Sequence, residues 1–267
     1  MPAPRKAIAL FLSLGLSSAP VCAGQDPSAA GLEPVVSQPV QGAMAGHGHA
    51  SEGGEGGEGG EGGSSATVSS DAELQLALAQ MQGHLLIAAE LLQRGEAAAA
   101  EPHVGHPVDE LYGAVAPALA ARGIPGFLDS LEALRQQVRL DPGATPVISA
   151  RLAAAREAIS RAELALPVAQ RRDPASRLWL VRQLAATAAQ EYAAAVDNGR
   201  VIERIEYQDA RGFLLEAQRR LSAEGGPGQA AGAATTVNAM LQGLPSAEPP
   251  PRLNLSPSQL GELQAKL

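Results

Sequence analysis

From residue 70 onward, apolar side chains recur at steps of three and four residues, which is the spacing of one buried face of an α-helix. Ser70 and Glu73 have the spacing of a capping box, so the pattern predicts a first helix from Ser70 to about Gln93. Pro107 favours the first position of a helix and predicts the start of a second one. Later apolar stripes predict helices that begin near residues 125, 145, 173 and 201.

The predicted fold is all-α: an antiparallel up-and-down helical bundle over residues 70–223, because the connections between the stripes are short. In this prediction residues 101–110 form the turn between the first two helices, and Asn198-Gly199 either ends the fifth helix or lies within it. Residues 224–267 are rich in Gly and Pro and predict a loose, flexible tail with short helices. The last of these helices could dock on the bundle or on a partner.

The first 23 residues predict a signal peptide. Arg5 and Lys6 precede an apolar run over residues 7–17, which is too short for a bilayer-spanning helix of about 20 residues. Small residues favour cleavage after Ala23, whereas lipidation at Cys22 is disfavoured by the Val before it. We therefore expect a periplasmic or secreted chain with no membrane span after cleavage.

Residues 24–69 predict a disordered arm, because Gly, Ser, Pro and Gln dominate and little apolar surface is available for burial. The arm contains His47 and His49, followed by a repeat of Glu-Gly-Gly. One interpretation is a flexible acidic linker. The other is a weak metal collector, in which the imidazoles and carboxylates gather divalent ions.

Composition excludes several classes of protein. The 267-residue chain has a formal net charge of −8 and no basic stripe, which argues against nucleic-acid binding. Aromatic residues make up 3% of the chain, too few for a typical sandwich or barrel. The single Cys lies in the signal peptide, and no nucleophile elbow, phosphate loop or His-Glu-x-x-His motif is present. An enzyme is therefore the least favoured class.

Three of the five His residues lie in the predicted bundle and are the main candidates for metal ligands: His84, His103 and His106. Glu110 is four residues after His106, which places the two side chains on one helical face. Each His also has an ordinary explanation, as a helix cap or as a half-buried hydrogen-bonded side chain. Their proximity to one another and to acidic residues favours a metal site as a group.

Glu203 and Glu206 form a second candidate, with Asp209 three residues further along the same helix. Inward carboxylates of this kind bind metals in helical bundles when His residues face them. Neighbouring arginines could instead pair with the acids as a solvated face. We expect Glu203 and Glu206 to be ligands only if their helix packs against the His-containing turn.

Two sequence patterns of known iron-handling proteins are not matched. The Gly-x-His-x-x-Glu pattern of imelysin-like proteins differs around His106, where both Gly105 and Glu110 are one position late. The Arg-Glu-x-x-Glu pattern of iron permeases fails at Glu203, which follows Ile202 instead of Arg. Membership of either family does not follow from the sequence.

The leading functional hypothesis is an exported helical protein that binds a transition metal for buffering, sensing or delivery. Imidazole and carboxylate ligands fit Zn, Cu, Ni or Fe and do not identify the ion. The alternative is a ligand-free helical interaction module, tethered by the acidic arm and directed at a protein partner. The two hypotheses differ in one structural expectation: a metal site requires the three imidazoles to converge with at least one carboxylate.

Overall fold

Helices form nearly all the regular structure in the computed structural model, which describes residues 68–222 and 229–267. The prediction of an all-α bundle is confirmed. In chain order the elements are α1 (Asp71–Gln93), α2 (Ala97–His106), a π-helical turn (Pro107–Leu111), α3 (Tyr112–Ala121), α4 (Leu128–Leu140), α5 (Thr145–Leu164), α6 (Val168–Arg172), α7 (Pro174–Ala195), β1 (Val196–Asp197), β2 (Arg200–Val201), α8 (Arg204–Ser222), α9 (Gln229–Gly243) and α10 (Pro257–Gln264).

Helix α1 lies at the centre of the bundle and packs against α2, α5, α7 and α8. Its start matches the sequence prediction, because Ser70 and Glu73 form the capping box. Its buried residues include polar ones as well as the apolar stripe, so most of its circumference faces other helices. A side chain in the middle of α1, such as that of His84, therefore has neighbours from several helices.

The region after α1 differs from the predicted turn. Gly95 adopts a left-handed φ of 77° and ends α1, but four consecutive Ala residues at 97–100 start α2 almost at once. The chain then continues through the π-helical turn into α3, with Pro107 inside this helical run. The second helix thus begins ten residues earlier than Pro107, at Ala97, and His103 and His106 lie on a helix.

The Asn198-Gly199 pair forms a tight hairpin between β1 and β2. Asn198 has φ 48° and Gly199 has φ 73°, which fits a two-residue turn with both central residues in the left-handed region. Val196 pairs with Val201 in antiparallel register. The fifth predicted helix therefore ends at Ala195, and the hairpin returns the chain so that α8 packs against α7.

The tail differs from the predicted loose segment from residue 229 onward. Helix α9 packs on α8, and α10 packs on α7 and α9. The apolar residues that drive this packing are fully buried: Val237, Met240, Leu244 and Leu260. Tyr192 on α7 also donates a hydrogen bond to the Leu255 carbonyl oxygen at 2.7 Å. The two short helices were expected, and their burial against the bundle holds them in place.

The signal peptide and most of the arm lie outside the described residues. Within residues 68–222 and 229–267, no helix combines the length and apolar character that a membrane crossing needs.

Candidate metal centre

Two glycines allow α1 and α8 to approach closely at the site. A Cβ atom added to Gly212 would lie 2.5 Å from the Gly83 carbonyl oxygen, and one added to Gly83 would lie 2.7 Å from Phe213. His84 follows Gly83 directly, and Asp209 lies one turn before Gly212 on α8. The close crossing therefore brings the imidazole of His84 to the carboxylate of Asp209.

Three imidazole rings converge on this carboxylate and form, with Asp209, the His–Asp cluster. Asp209 Oδ1 lies 2.7 Å from His84 Nδ1 and 2.8 Å from His103 Nδ1, and Asp209 Oδ2 lies 3.1 Å from His106 Nδ1. One potential ligand atom from each residue lies within 4.8 Å of the other three. His103 and Asp209 are almost completely buried, whereas the His106 side chain is 15% exposed.

The orientation of His103 follows from its second ring nitrogen. Gln208 donates through Nε2 to the Ala247 carbonyl at 3.1 Å, which leaves its Oε1 facing His103 Nε2 at 2.9 Å. Because a carbonyl oxygen only accepts, His103 Nε2 carries the hydrogen. A neutral His103 then directs the lone pair of Nδ1 at Asp209 Oδ1, an arrangement that requires a proton or a cation between the two atoms.

His106 Nδ1 and Asp209 Oδ2 are buried and lie 3.1 Å apart as an ion pair, but neither atom has a well-aligned hydrogen bond among the described residues. Buried polar atoms are normally satisfied, since an unpaired one costs about 1–3 kcal/mol. Both atoms are potential metal ligands, so a cation held between them would satisfy both.

Charge in the cluster is unevenly distributed. Burial is the main cause that lowers the pKa of His84. At His106 burial acts in the same direction, but the Asp209 carboxylate outweighs it and raises the pKa of His106 to about 9. Although burial opposes ionisation of Asp209, His84 and His103 hold the pKa of Asp209 well below its ordinary value. The carboxylate is therefore ionised, and His106 holds a proton near neutral pH when no metal competes.

Three more carboxylates lie around the cluster, those of Glu110, Glu191 and Glu206, which we call the acidic group. Glu110 Oε1 is 3.9 Å from His106 Nε2. Burial and then the charge of Asp209 raise the pKa of Glu191 to about 8. Burial also raises the pKa of Glu110. The cluster thus lies in an acidic environment that favours cations.

The sequence-predicted candidates are only partly brought together. His84, His103 and His106 meet at one carboxylate, and Glu110 lies beside His106. Glu203 is exposed before the start of α8, so the structure places it away from the cluster. Glu206 is half-buried in the acidic group. His47 and His49 lie outside the described residues.

The helical phase of the sequence places His106 opposite the apolar stripe that includes Leu111 and Val115, facing either solvent or another helix, and in the structure it faces Asp209 of α8. The five-residue π-helical turn after His106 shifts the phase between α2 and α3. Arg135 on α4 holds this turn through two hydrogen bonds to Asp109, at 2.7 and 2.6 Å. His106 can therefore face Asp209 while Leu111 and Val115 remain buried.

Asp209 is the residue that the sequence did not single out as a ligand. It lies on the same predicted face as Glu203 and Glu206, and this spacing was the available signal. Helix α8 packs so that Glu206 and Asp209 turn inward, whereas Glu203, just before the helix, is exposed. Gln208 and Ala247, which orient His103, had no signal in the sequence, because their roles depend on a backbone carbonyl in the tail.

A Gly212→Ala substitution should destabilise the chain by about 1–3 kcal/mol, because the added Cβ meets backbone atoms of α1 that cannot rotate away. Denaturant unfolding measures this change. Gly113→Ala in α3 is the matched control: nothing lies within 4 Å of its added Cβ, and we expect a neutral or stabilising effect of up to about 1 kcal/mol. Equal stability of the two variants would contradict the close crossing.

Comparison with known proteins finds a family similarity for part of the chain. Residues 167–267 match the family described as the iron permease-associated 4-helix bundle domain. This segment contains α6 to α10, and it includes Asp209 but none of the three His residues of the cluster. No curated protein and no solved structure matches the chain. The chain is thus an all-α protein with a segment similar to an iron permease-associated bundle and a buried group of three His and one Asp that could bind a metal ion.

Proposed function

We propose that this chain is an exported protein that binds one transition-metal ion, in the first place iron, through His84, His103, His106 and Asp209. In this proposal it holds the ion for an iron-transport system, as a buffer or a donor, and performs no catalysis. The observation that carries the proposal is the convergence of three imidazole Nδ1 atoms on one buried carboxylate.

The donor set fits such an ion. Three imidazoles and a carboxylate suit Fe, Zn, Cu and Ni, whereas hard ions such as Mg²⁺ and Ca²⁺ prefer oxygen ligands alone. Gln208 supports the proposal because it accepts from His103 Nε2, and such an outer hydrogen bond orients metal-binding imidazoles in many proteins. An ion at this position would replace the proton that must otherwise separate His103 from Asp209.

Iron is the favoured cargo because of the similarity of residues 167–267 to an iron permease-associated domain. Export rests on the signal-peptide pattern of residues 1–23, and the arm with His47 and His49 would collect ions weakly before they reach the cluster. These two features remain part of the proposal, since they rest on sequence patterns.

The proposal is tested by calorimetric titration of the full chain with Zn²⁺, Cu²⁺, Ni²⁺ and ferrous and ferric iron. We expect at least one of these ions to bind with a dissociation constant of about 1 µM or lower. A His103→Ala/His106→Ala variant should lose this binding. A His47→Ala/His49→Ala variant has the same number of imidazoles removed and should retain it.

Two results would overturn the proposal. One is the absence of binding of every ion by the parent chain. The other is binding that survives in the His103→Ala/His106→Ala variant and disappears in the His47→Ala/His49→Ala variant, because the arm would then be the only metal-binding part of the chain.

A further inference from the structure

The His–Asp cluster is connected to the tail of the chain by a series of hydrogen bonds. His103 Nε2 lies 2.9 Å from Gln208 Oε1, and Gln208 Nε2 donates to the Ala247 carbonyl oxygen at 3.1 Å. The Ala247 N–H donates in turn to Glu90 Oε1 on α1 at 2.8 Å. The peptide groups on both sides of Ala247 are therefore held, one by α8 and the other by α1.

A second set of contacts fixes the same part of the tail, residues 244–247, which we call the anchored segment. Arg211 on α8 donates through Nη1 to the Leu244 carbonyl oxygen at 2.5 Å and through Nε to Glu90 Oε2 at 2.8 Å. Leu244 and Ala247 are completely buried. In residues 68–222 and 229–267, the side chains of Glu90 and Arg211 form hydrogen bonds and ion pairs only with each other and with the anchored segment. They hold this segment without touching the His–Asp cluster.

The side-chain amide of Gln208 has two possible orientations, and the anchored segment selects one of them. Because the Ala247 carbonyl only accepts, the Gln208 amide nitrogen faces it and the amide oxygen faces His103. Without this carbonyl the amide is free to turn and to donate to His103 Nε2 instead. A neutral His103 then carries its hydrogen on Nδ1 and donates it to Asp209 Oδ1, which lies 2.8 Å away.

We infer that docking of the anchored segment sets the tautomer of His103 and thereby the metal affinity of the His–Asp cluster. With the segment docked, a neutral His103 presents the lone pair of Nδ1 to a metal ion. With the segment undocked, Nδ1 carries a hydrogen that is bound to Asp209, and an ion must displace it. The inference deepens the proposed function by naming the part of the chain that controls the site, and it rests on that function for metal binding only.

The direct test removes the side-chain amide of Gln208. A Gln208→Leu variant of the full chain should bind Zn²⁺ about 10- to 100-fold more weakly than the parent, which is the usual effect of removing the outer hydrogen bond of a metal-binding imidazole. Gln218→Leu is the matched control, because Gln218 lies on the same helix and donates to Asn238 of the tail at 2.7 Å. This variant should keep its Zn²⁺ affinity within threefold.

A second variant loosens the anchored segment without changing the cluster or Gln208. Glu90→Ala removes the acceptor of the Ala247 N–H and the ion-pair partner of Arg211, and it should weaken Zn²⁺ binding about tenfold or more. Glu157→Ala is its control, because Glu157 also pairs with an arginine but is 68% exposed on α5. Thermal unfolding checks that each variant folds.

The tautomer of His103 gives a readout that needs no metal. Nitrogen-15 NMR of the chain in EDTA, with labelled histidines, reports which ring nitrogen carries a hydrogen. We expect a hydrogen on His103 Nε2 in the parent and in both controls, and its transfer to Nδ1 in Gln208→Leu and Glu90→Ala. A purely structural role of Glu90 would lower the melting temperature and leave the tautomer unchanged.

Either of two results in a folded Glu90→Ala chain would overturn the inference, whatever the effect of Gln208→Leu: parental Zn²⁺ affinity or the parental tautomer of His103. If the parent chain binds no metal ion, the proposed function fails, and the tautomer of His103 in Glu90→Ala alone decides whether the tail controls this residue.

Discussion

An Asp209→Asn variant should bind Zn²⁺ or Fe²⁺ at least about 100-fold more weakly than the parent chain, a loss of about 2.7 kcal/mol. Asp209 is the single carboxylate that all three imidazoles of the cluster face, and it is 1% exposed. The amide keeps the shape of the side chain but removes its negative charge. It also places either an NH₂ donor or a weaker acceptor where the metal would bind.

Calorimetric titration of the purified full chain measures this loss. Asp129→Asn makes the same chemical change on an exposed residue in the first turn of α4, and it should leave affinity within threefold. Asp209→Asn also breaks buried contacts with His84 and His103, so its melting temperature without metal should fall. A folded Asp209→Asn chain with parental affinity would contradict the assignment of Asp209.

Metal affinity should fall at least about 100-fold between pH 8 and pH 6. Burial lowers the pKa of His106, but Asp209 and then Glu110 and Glu191 outweigh it and raise this pKa to about 9. Below pH 9 a metal ion that binds His106 Nδ1 must therefore displace a proton. Each displaced proton weakens binding about tenfold per pH unit. Titrations at pH 6, 7 and 8 measure the slope, and a His106→Gln variant should show a smaller one.

Without metal, the free energy of unfolding should decrease as pH rises, which is opposite to the change expected for metal affinity. The pKa of His106 is raised from its ordinary value of 6.5, so its contribution is fully present below pH 6.5 and is lost as pH rises through about 9. Glu191, with a pKa raised to about 8, likewise favours the folded state in its protonated form and loses this contribution as pH rises through 8. The melting temperature in EDTA should therefore fall from pH 6 to pH 9.

For the metal-bound form, an affinity that does not depend on pH would contradict the displacement of a proton from His106.

The sequence predicts the helical class and most helix starts because these depend on local features. The capping box of Ser70 and the helix starts predicted near residues 145 and 173 are all found where the pattern places them. The start of α2 was missed because Pro107 has the same local signature at a helix start and inside a π-helical turn. The short helices of the tail were expected, but whether the last one docks on the bundle was left open, because burial of Leu260 depends on a partner surface that local composition does not reveal.

Of the candidate site, the three His residues were predictable from the sequence, but the carboxylate that they share was not. His84, His103 and His106 are near one another in sequence, so their proximity was visible. Their common carboxylate was not, because the packing of α8 against α1 selects Asp209 over Glu203. Glu203 also lacks the Arg of the iron-permease pattern, yet it lies within the segment that matches the iron permease-associated bundle. The similarity is therefore to a helical-bundle domain and does not depend on that five-residue pattern.

The sequence distance between the two sides of the cluster has a consequence for folding. His84 and His103 are separated from Asp209 by 125 and 106 residues along the chain. Loop-closure entropy opposes such long-range contacts in an unfolded chain, so the imidazoles and the carboxylate meet only once α8 has packed. A bound ion would then act as a reversible cross-link between distant parts of the chain. It would slow unfolding far more than it speeds folding, and release of the ion would restore the faster unfolding rate.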